Sequence, residues 1–404
     1  MLAYPEALAK VLENTRPLSP IEHKLHKIRS EQILAEPVYA QLDLPPAATA
    51  TMDGFAFMHS GLKADTPLKV VGFVPAGHKF NCRIHRGEAV RIMTGAPLPK
   101  GCDTVVPIEE TEQQDNWLKL SSVPNSGSYV RQRGEEFRQS ELVLAAGTNL
   151  TPGAIGLLSA AGISRPKVYP LPKVAILSTG DELFLLDEAQ QEGKIVNSNA
   201  YLLAARLREE GIEPVVLGIA KDHPYELEER LREGLSADLL MTTGGVSIGD
   251  RDLVKSVLNN LGFNKVFWKV AISPGKPILF GTIDTLPIFG LPGNPTATAT
   301  TFELFVRPAL RRLAGYSYPL PPRIKVRLAD SISGGRKRQQ FLWGQLKIVA
   351  GALQFLPAKG KKSGQLHDLI TAHALLPVPS DSPGLPVGDE VEVILLRLPS
   401  AGDN

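Results

Sequence analysis

The chain has 404 residues, and its 44 basic and 42 acidic side chains nearly balance. Because neither charge is in excess, the composition provides no attraction to nucleic acid or to an anionic membrane surface. No apolar stretch reaches the roughly 20 residues that a membrane-spanning helix requires, and two cysteines, Cys82 and Cys102, cannot form a disulfide framework. We therefore expect a cytoplasmic protein of about two to four domains that binds neither nucleic acid nor membrane.

The first part of the chain predicts helices on either side of a module of short strands. Two apolar patterns at helical spacing precede Pro45 and Pro46, and they favour two helices. Short β-rich runs separated by Gly and Pro follow, and residues 141–165 turn helical again. We interpret residues 1–45 and 140–171 as a split helical domain, with residues 46–139 as a β-rich domain inserted into it.

From residue 172 onward, runs of strand length alternate with runs of helix length. The strand-like runs KVAILSTG, EPVVLGIA and ADLLMTTGG are apolar almost throughout, as expected when helices cover both faces of a parallel sheet. Residues 172–316 therefore predict a doubly wound α/β domain. Residues 317–404 return to short β-rich runs, so the fold class is multidomain α/β.

The loops after these strands carry glycines and acidic residues. Ligands of such sheets bind outside the carboxyl ends of the strands. Gly244 and Gly245 let the backbone approach a ligand and turn its amides toward an anion. Glu182, Asp222 and Asp252 could each cap a helix, but several carboxylates at one rim favour Mg²⁺, which takes one or two of them together with phosphate oxygens.

Two later loops suit an anion. Lys276 stands between Pro274-Gly275 and Pro277, as a rigidly framed cation. Residues 292–295, PGNP, join an apolar run to a helix expected near Thr296, and the amides at a helix N-terminus attract anions. The prolines alone would fit simple loop stiffening equally well. Together with the acidic rim, these loops predict a phosphate-binding or metal-binding crevice.

Six sequence blocks carry a family resemblance. They are TMDGFAF (51–57), VRIMTGAPLPKGCDTVVP (90–107), STGDEL (178–183), TTGGVSIGDRD (242–252), ISPGKP (272–277) and GLPGNP (290–295). In this order they resemble the molybdopterin molybdenumtransferase family, whose eukaryotic relatives include the E domain of gephyrin. A stand-alone molybdopterin adenylyltransferase would share only the α/β domain, so the first two blocks distinguish the families.

The resemblance implies a homodimer of four-domain subunits in which residues 317–404 form a C-terminal β-barrel. It implies insertion of molybdenum from molybdate into adenylylated molybdopterin, with Mg²⁺ assisting cleavage of the phosphoanhydride and AMP leaving. The implied partners are a molybdopterin adenylyltransferase and apo-molybdoenzymes. The motifs fit molybdate and tungstate equally.

Site residues follow from the same resemblance, position by position. The implied catalytic residues are Asp53, Thr94, Glu182, Asp222, Asp252, Lys269 and Lys276, of which Glu182, Asp222 and Asp252 are the implied metal ligands. The implied substrate-binding residues are Thr179, Gly180, Gly244, Gly245, Ser247, Pro292, Asn294, Pro295, Glu136 and Arg338. Arg336 accompanies Arg338 as a candidate for holding molybdate.

Four places depart from the family pattern. Glu136 stands where aspartate is usual, Ser273 where lysine is common, Trp343 where arginine is frequent, and His367-Asp368 where a serine pair is common. We expect these positions to contact the anion, so the departures bear on the molybdate subsite and leave a diverged paralogue open. Two other functions stay open, a gephyrin-like binding scaffold and a pterin-nucleotide hydrolase without metal insertion. The acidic rim argues against a scaffold, which has no need of it.

Overall fold

The computed structural model describes residues 1–63, 66–189, 192–245, 253–358 and 366–400. Ser247 and Asp252 lie outside the described residues. The chain forms two compact units, one made of residues 1–21 and 169–404 and the other of residues 22–168. Within the described part of the chain, no helix is long and apolar enough to cross a membrane.

A six-stranded sheet is the centre of the first unit. Its strands are β1 (Val174–Thr179), β2 (Val215–Ala220), β3 (Leu239–Thr243), β4 (Asn264–Trp268), β5 (Leu279–Ile283) and β6 (Leu286–Leu291). They lie in the order β2-β1-β3-β6-β5-β4. The first four in this order are parallel, whereas β5 is antiparallel to both of its neighbours.

Helices cover both faces of this sheet. Val174 and Ile176 pack in one core with Leu203, while Ala175 and Leu177 pack in another core on the opposite face. Because both faces are buried, β1 and β3 are buried along their whole length, which confirms the predicted doubly wound domain. The helices are Ser198–Glu209, Pro224–Gly234, Leu253–Asn260, Pro295–Thr301, a π-helical stretch Phe302–Val306, and Arg307–Leu313.

The C-terminal part of this unit is the expected β-barrel. Five strands close on themselves, because the longest, Gln339–Val349, pairs with both the first and the last of the other four. In order around the barrel, these four are Ala352–Pro357, Arg323–Leu328, Glu390–Leu395 and Ala374–Val378. A short strand pair, Ile332–Ser333 with Gly384–Leu385, and a short helix, His367–Ile370, complete this part of the chain.

The second unit is rich in strands, as predicted. Its six-stranded sheet runs in the order Thr104–Pro107, Gly54–Phe57, Glu88–Ile92, Leu68–Val74, Trp117–Leu120 and Thr111–Gln114. A helix, Pro152–Ala160, is capped by Thr151, whose side chain accepts a hydrogen bond from the amide of Ala154. This helix confirms the predicted return to helical structure.

The N-terminal helix is confirmed at Tyr4–Glu13, but its packing differs from our expectation. Its apolar face, including Tyr4 and Val11, is buried in the same core as Phe305 and Phe341. The ring of Tyr4 meets these two phenylalanines edge-on, with centroids 5.6 and 5.0 Å away. Residues 1–21 thus belong to the unit that contains the α/β sheet, and the other domain boundaries stay predictions.

The second predicted N-terminal helix is wrong. Between residues 23 and 40 the structure contains one 3-10 turn, Leu25–Lys27, and a short strand, Val38–Tyr39. Glu31 has a left-handed backbone with φ 75°, which interrupts a right-handed helix. Leu34 is instead extended, and it pairs with Val168 across an isolated bridge. The segment whose apolar spacing resembled a helix is therefore extended, because packing within the unit overrides a short periodic pattern.

Candidate active site

The carboxyl ends of four parallel strands meet at one edge of the sheet. Thr179 is opposite Ala220 of β2, and Ser178 is opposite Thr243 of β3, which is in turn opposite Leu291 of β6. The four loops that leave this edge begin at Gly180, Lys221, Gly244 and Pro292. The structure therefore brings together the loops that the sequence placed at one rim.

The two adjacent glycines are required by close packing. Gly244 and Gly245 have φ of 86° and 65°, in the left-handed region that favours glycine. A Cβ on Gly244 would collide with the carbonyl oxygen of Thr179, and one on Gly245 would lie 2.8 Å from Oγ1 of the same threonine. The amide of Gly244 donates to the carbonyl of Leu291 at 3.3 Å. This amide is thus engaged with β6, and our expectation that it turns toward a ligand is wrong.

Three acidic residues, Asp181, Glu182 and Asp222, lie on the loops after β1 and β2. The amide of Asp222 donates to Oδ1 of Asp181 at 3.2 Å. Partial desolvation, and then the negative charges of Asp181 and Glu182, raise the pKa of Asp222. Gly180 lies beneath Glu182, because a Cβ there would collide with that carboxylate.

Helix capping does not account for these acids. The helix Pro224–Gly234 begins after His223 without a side-chain cap, although Asp222 is adjacent. Glu182 is followed by the short strand Leu183–Phe184, and no helix begins there. Neither Glu182 nor Asp222 therefore serves as a helix cap. Among the described residues, no three His, Cys or acidic side chains group closely enough to hold a metal ion.

The loop at residues 292–295 is held by the helix that follows it. Oδ1 of Asn294 accepts a hydrogen bond from the amide of Ala297 at 3.2 Å and so caps this helix. Pro295 is its first residue, where the missing amide hydrogen costs nothing. The hydroxyl of Thr298 donates to the carbonyls of Pro292 and Asn294. This geometry is compatible with both interpretations of the loop, simple stiffening by its prolines and binding of an anion.

Two asparagines that sequence reasoning missed support these loops from below. Nδ2 of Asn199 donates to the carbonyl of Gly293 at 2.8 Å. Oδ1 of Asn197 accepts from the hydroxyl of Ser178 at 3.0 Å. Asn197 caps the helix Ser198–Glu209 and Asn199 is its second residue, so the two asparagines of the run VNSNAY at the start of a helix were the available signal.

Lys269 and Lys276 lie on neighbouring backbone segments at the end of β4. The amide of Lys269 donates to the carbonyl of Ile278, and the amide of Val270 donates to the carbonyl of Lys276. The ammonium of Lys269 stacks on the ring of Trp268, 3.6 Å from its centroid. The structure thus brings the two predicted lysines together.

Arg338 joins the same region from the barrel. The short strand Ile272–Ser273 pairs in parallel with Gln339 and Gln340. The guanidinium of Arg338 donates to the carbonyl of Ile272 at 3.1 Å. This bond places a half-buried cation beside residues 274–276, the PGK loop. Arg336, by contrast, is exposed.

Trp343 was expected to contact the molybdate anion, but its side chain is buried. Its side chain is 4% exposed, and Nε1 donates to the hydroxyl of Thr300 at 2.9 Å. The guanidinium of Arg206 lies over its ring, 5.8 Å from the centroid. The aromatic ring is buried because it packs in the core shared by the barrel and the α/β sheet. His367 and Asp368 instead line a cavity of about 180 Å³ on the barrel.

In the second unit, the structure brings Asp53 and Thr94 together. Oδ1 of Asp53 accepts hydrogen bonds from the amide of Thr94 at 2.6 Å and from its hydroxyl at 2.7 Å. Glu136 is exposed and accepts from the guanidinium of Arg131 at 2.9 Å. The side chain of Glu136, which is longer than the usual aspartate, thus forms a surface ion pair with Arg131.

A cavity of about 810 Å³ adjoins the acidic loops. Gly180 and Asp181 line it on one side, and three cationic side chains line it elsewhere. These cations are Lys194, Lys221 and Arg230. The rim therefore combines carboxylates with positive charge, as a phosphate-bearing ligand with a bound cation would require.

Comparison with known proteins covers nearly the whole chain. Residues 2–162 match the MoeA N-terminal region (domains I and II), residues 175–312 a probable molybdopterin-binding domain, and residues 325–396 the MoeA C-terminal region (domain IV). A molybdopterin molybdenumtransferase from Nostoc sp. is 38% identical over 91% of this chain and 86% of its own length. The chain belongs to the molybdopterin molybdenumtransferase family.

Other members of this molybdenumtransferase family agree in sequence and in structure. The molybdopterin molybdenumtransferase of Haemophilus influenzae is 36% identical over 78% of each chain. The crystal structure of a molybdopterin biosynthesis MoeA protein from Pyrococcus horikoshii superimposes with a TM-score of 0.83, at 31% identity, over 98% of this chain and 99% of that one. The family and the multidomain fold predicted from the six blocks are therefore confirmed.

Proposed function

We propose that this chain inserts molybdenum from molybdate into adenylylated molybdopterin, with release of AMP, during molybdenum cofactor biosynthesis. One observation carries the proposal: Asp181, Glu182 and Asp222 lie on two neighbouring loops at the carboxyl edge of the sheet, where the amide of Asp222 donates to Asp181 and the carboxylate of Glu182 lies over Gly180. Family relatives named molybdopterin molybdenumtransferase support the substrate class. Neither a scaffold nor a structural domain needs like charges placed together, because their repulsion only destabilises the fold.

Mg²⁺ fits the donors at this edge. The pKa of Asp222 is raised by desolvation and by two neighbouring carboxylates, and a bound cation would relieve this repulsion. One or two carboxylates, completed by water and phosphate oxygens, are what Mg²⁺ takes in proteins. When bound, Mg²⁺ would neutralise charge on the phosphoanhydride. Glu182 and Asp222 are the proposed ligands, and Asp252 stays a predicted third ligand.

The protein residues hold the two substrates in place. Thr179, Gly180 and Gly245 form the floor against which the pterin phosphate lies, and the loop at residues 292–295 closes one side. Lys276 and Arg338 attract the molybdate dianion, because charge-assisted donors bind oxyanions more strongly than neutral ones. Lys269 adds positive charge nearby. Ser247, Asp53, Thr94 and Glu136 stay predicted participants.

Product analysis tests the proposal. The protein is mixed with adenylylated molybdopterin, Mg²⁺ and molybdate, and AMP and molybdenum-loaded molybdopterin are quantified. We expect both products in equal amounts. AMP without metal insertion would favour the pterin-nucleotide hydrolase, and binding without either product would favour the scaffold.

Asp252→Asn provides the sharper test of the metal. The substitution preserves size but removes a charge, so AMP release should fall by orders of magnitude, since losing one contact to the transition state costs about 3 kcal/mol. Asp284→Asn is the matched control, because Asp284 is exposed in the β5–β6 turn at the opposite edge of the sheet. Wild-type release by Asp252→Asn at every Mg²⁺ concentration would rule out Asp252 as a ligand.

We also propose a cytoplasmic homodimer that receives its substrate from a molybdopterin adenylyltransferase and delivers its product to apo-molybdoenzymes. Light scattering should give twice the 43.7 kDa mass of one chain. A monomer at micromolar concentration would contradict this proposal.

A further inference from the structure

Asn199 is buried directly beneath the candidate active site. It is the second residue of the helix Ser198–Glu209, and it is 8% exposed. Its Nδ2 donates to the carbonyl of Gly293 at 2.8 Å, across 94 positions of sequence. Its Oδ1 is buried and has no hydrogen-bond partner within the described part of the chain.

The contact of Asn199 continues into the glycine loop. The amide of Gly244 donates to the carbonyl of Leu291 at 3.3 Å, and Leu291 directly precedes the loop at residues 292–295, so the two loops are linked through the end of β6. Gly244 in turn packs on the carbonyl of Thr179. A continuous set of contacts therefore leads from Asn199 through Gly293 to the end of β1.

Among the described residues, Oδ1 of Asn199 has no donor, so this side chain contributes little to the stability of the core. A buried acceptor without a donor disfavours the folded state. Rotating the amide by half a turn would not help, because Oδ1 would then face the carbonyl oxygen of Gly293, and two acceptors repel. An aliphatic side chain of similar size would avoid this cost. Within the part of the chain that the structure describes, the side chain of Asn199 makes one hydrogen bond, the one to Gly293.

We propose that Asn199 is a positioning residue that sets the spacing between the loop at residues 292–295 and the glycine loop at residues 244–245. This spacing determines the affinity of the site for the phosphate-bearing pterin substrate. The inference rests on the proposed function only for the identity of that ligand.

Two substitutions test this role. Asn199→Leu removes both polar atoms at nearly constant size, and Asn199→Asp replaces the donor with a second acceptor. We expect the thermal midpoint of Asn199→Leu to equal or exceed that of the wild type, because the unpartnered oxygen is gone. We expect both variants to bind adenylylated molybdopterin at least tenfold more weakly. Ser198→Leu and Ser198→Asp are the matched controls at the neighbouring residue, and they should bind like the wild type.

Amide hydrogen exchange reads the loop without any ligand. In both Asn199 variants, the amides of Ala297 and Thr298, which bond to Asn294, should exchange faster than in the wild type. If exchange is faster in the Asn199 variants but the wild-type protein does not bind adenylylated molybdopterin, the proposed function is refuted. The positioning role of Asn199 is then retained. Unchanged exchange in Asn199→Leu, or a loss of stability in step with a loss of affinity, would overturn the positioning role.

Discussion

Asp53 accepts two hydrogen bonds from a single residue, Thr94, through one carboxylate oxygen. The two residues are 41 positions apart, in the blocks TMDGFAF and VRIMTGAPLP. The backbone hydrogen bond from Thr94, followed by the bond from its hydroxyl, lowers the pKa of Asp53 below the ordinary value of 3.8. Two family blocks therefore form one hydrogen-bonded unit that keeps Asp53 ionised.

Removing the hydroxyl of Thr94 should raise the pKa of Asp53 toward 3.8. Thr94→Val eliminates the side-chain bond and retains the backbone bond, whereas Thr94→Ser retains both. Because the pKa of Asp53 is lower in the folded than in the unfolded protein, the two bonds stabilise the fold at pH values above the unfolded pKa. This stabilisation is lost as the pH falls through the folded pKa. NMR titration of the Asp53 carboxyl measures the shift. An identical pKa in Thr94→Val and the wild type would contradict this assignment.

Gly244→Ala should abolish ligand binding and destabilise the fold. The added Cβ collides with the carbonyl of Thr179, and the residue has φ of 86°. Gly262→Ala is the matched control, since Gly262 has the same φ but no atom within 4 Å of its Cβ position. The control should lose only the about 1–2 kcal/mol of a left-handed backbone. Urea unfolding and ligand binding measure the difference, and equal losses in the two variants would refute the close-packing argument.

Glu303→Gln should destabilise the first unit strongly. Glu303 is fully buried, and its carboxylate meets the guanidinium of Arg307 at 2.6 Å and that of Arg206 at 3.5 Å. Neutralising it removes the innermost charge of the network, whereas Arg307 keeps Glu210 at 2.9 Å and Arg206 keeps Glu209 at 2.8 Å, so we expect a loss of about 1–3 kcal/mol. Glu392→Gln breaks an exposed pair with Arg323 and should change the free energy of unfolding little. Similar unfolding curves for the two variants would count against a stabilising buried pair.

Ser273→Lys should tighten molybdate binding. Ser273 adjoins the PGK loop, where Arg338 donates to Ile272, so a lysine there adds a third cation to Lys276 and Arg338. One charge-assisted contact is worth about 1–3 kcal/mol. Ser333→Lys is the control, because Ser333 is also in a two-residue strand but is exposed on the barrel. Isothermal titration with molybdate checks the prediction, and equal affinities in the two variants would argue against an oxyanion site at Ser273.

The sequence alone determined the family, the α/β sheet and the rim of the candidate site. Strands β1 and β3 are apolar up to their last two residues because both of their faces are buried, and this local pattern is visible in the sequence. The carboxyl ends of parallel strands share one edge, so the loops at Gly180 and Gly244 could be placed together before any contact was known.

Only the tertiary structure decided the contacts between remote segments. The N-terminal helix was predictable from its spacing, but its packing beside Phe305 was not, since an apolar face does not specify its partner. Trp343 is buried against Thr300, and Asn199 holds Gly293, although neither residue has a local pattern that reveals this. Periodicity in sequence reports which side of an element is buried, whereas the residue it meets depends on how the whole chain packs.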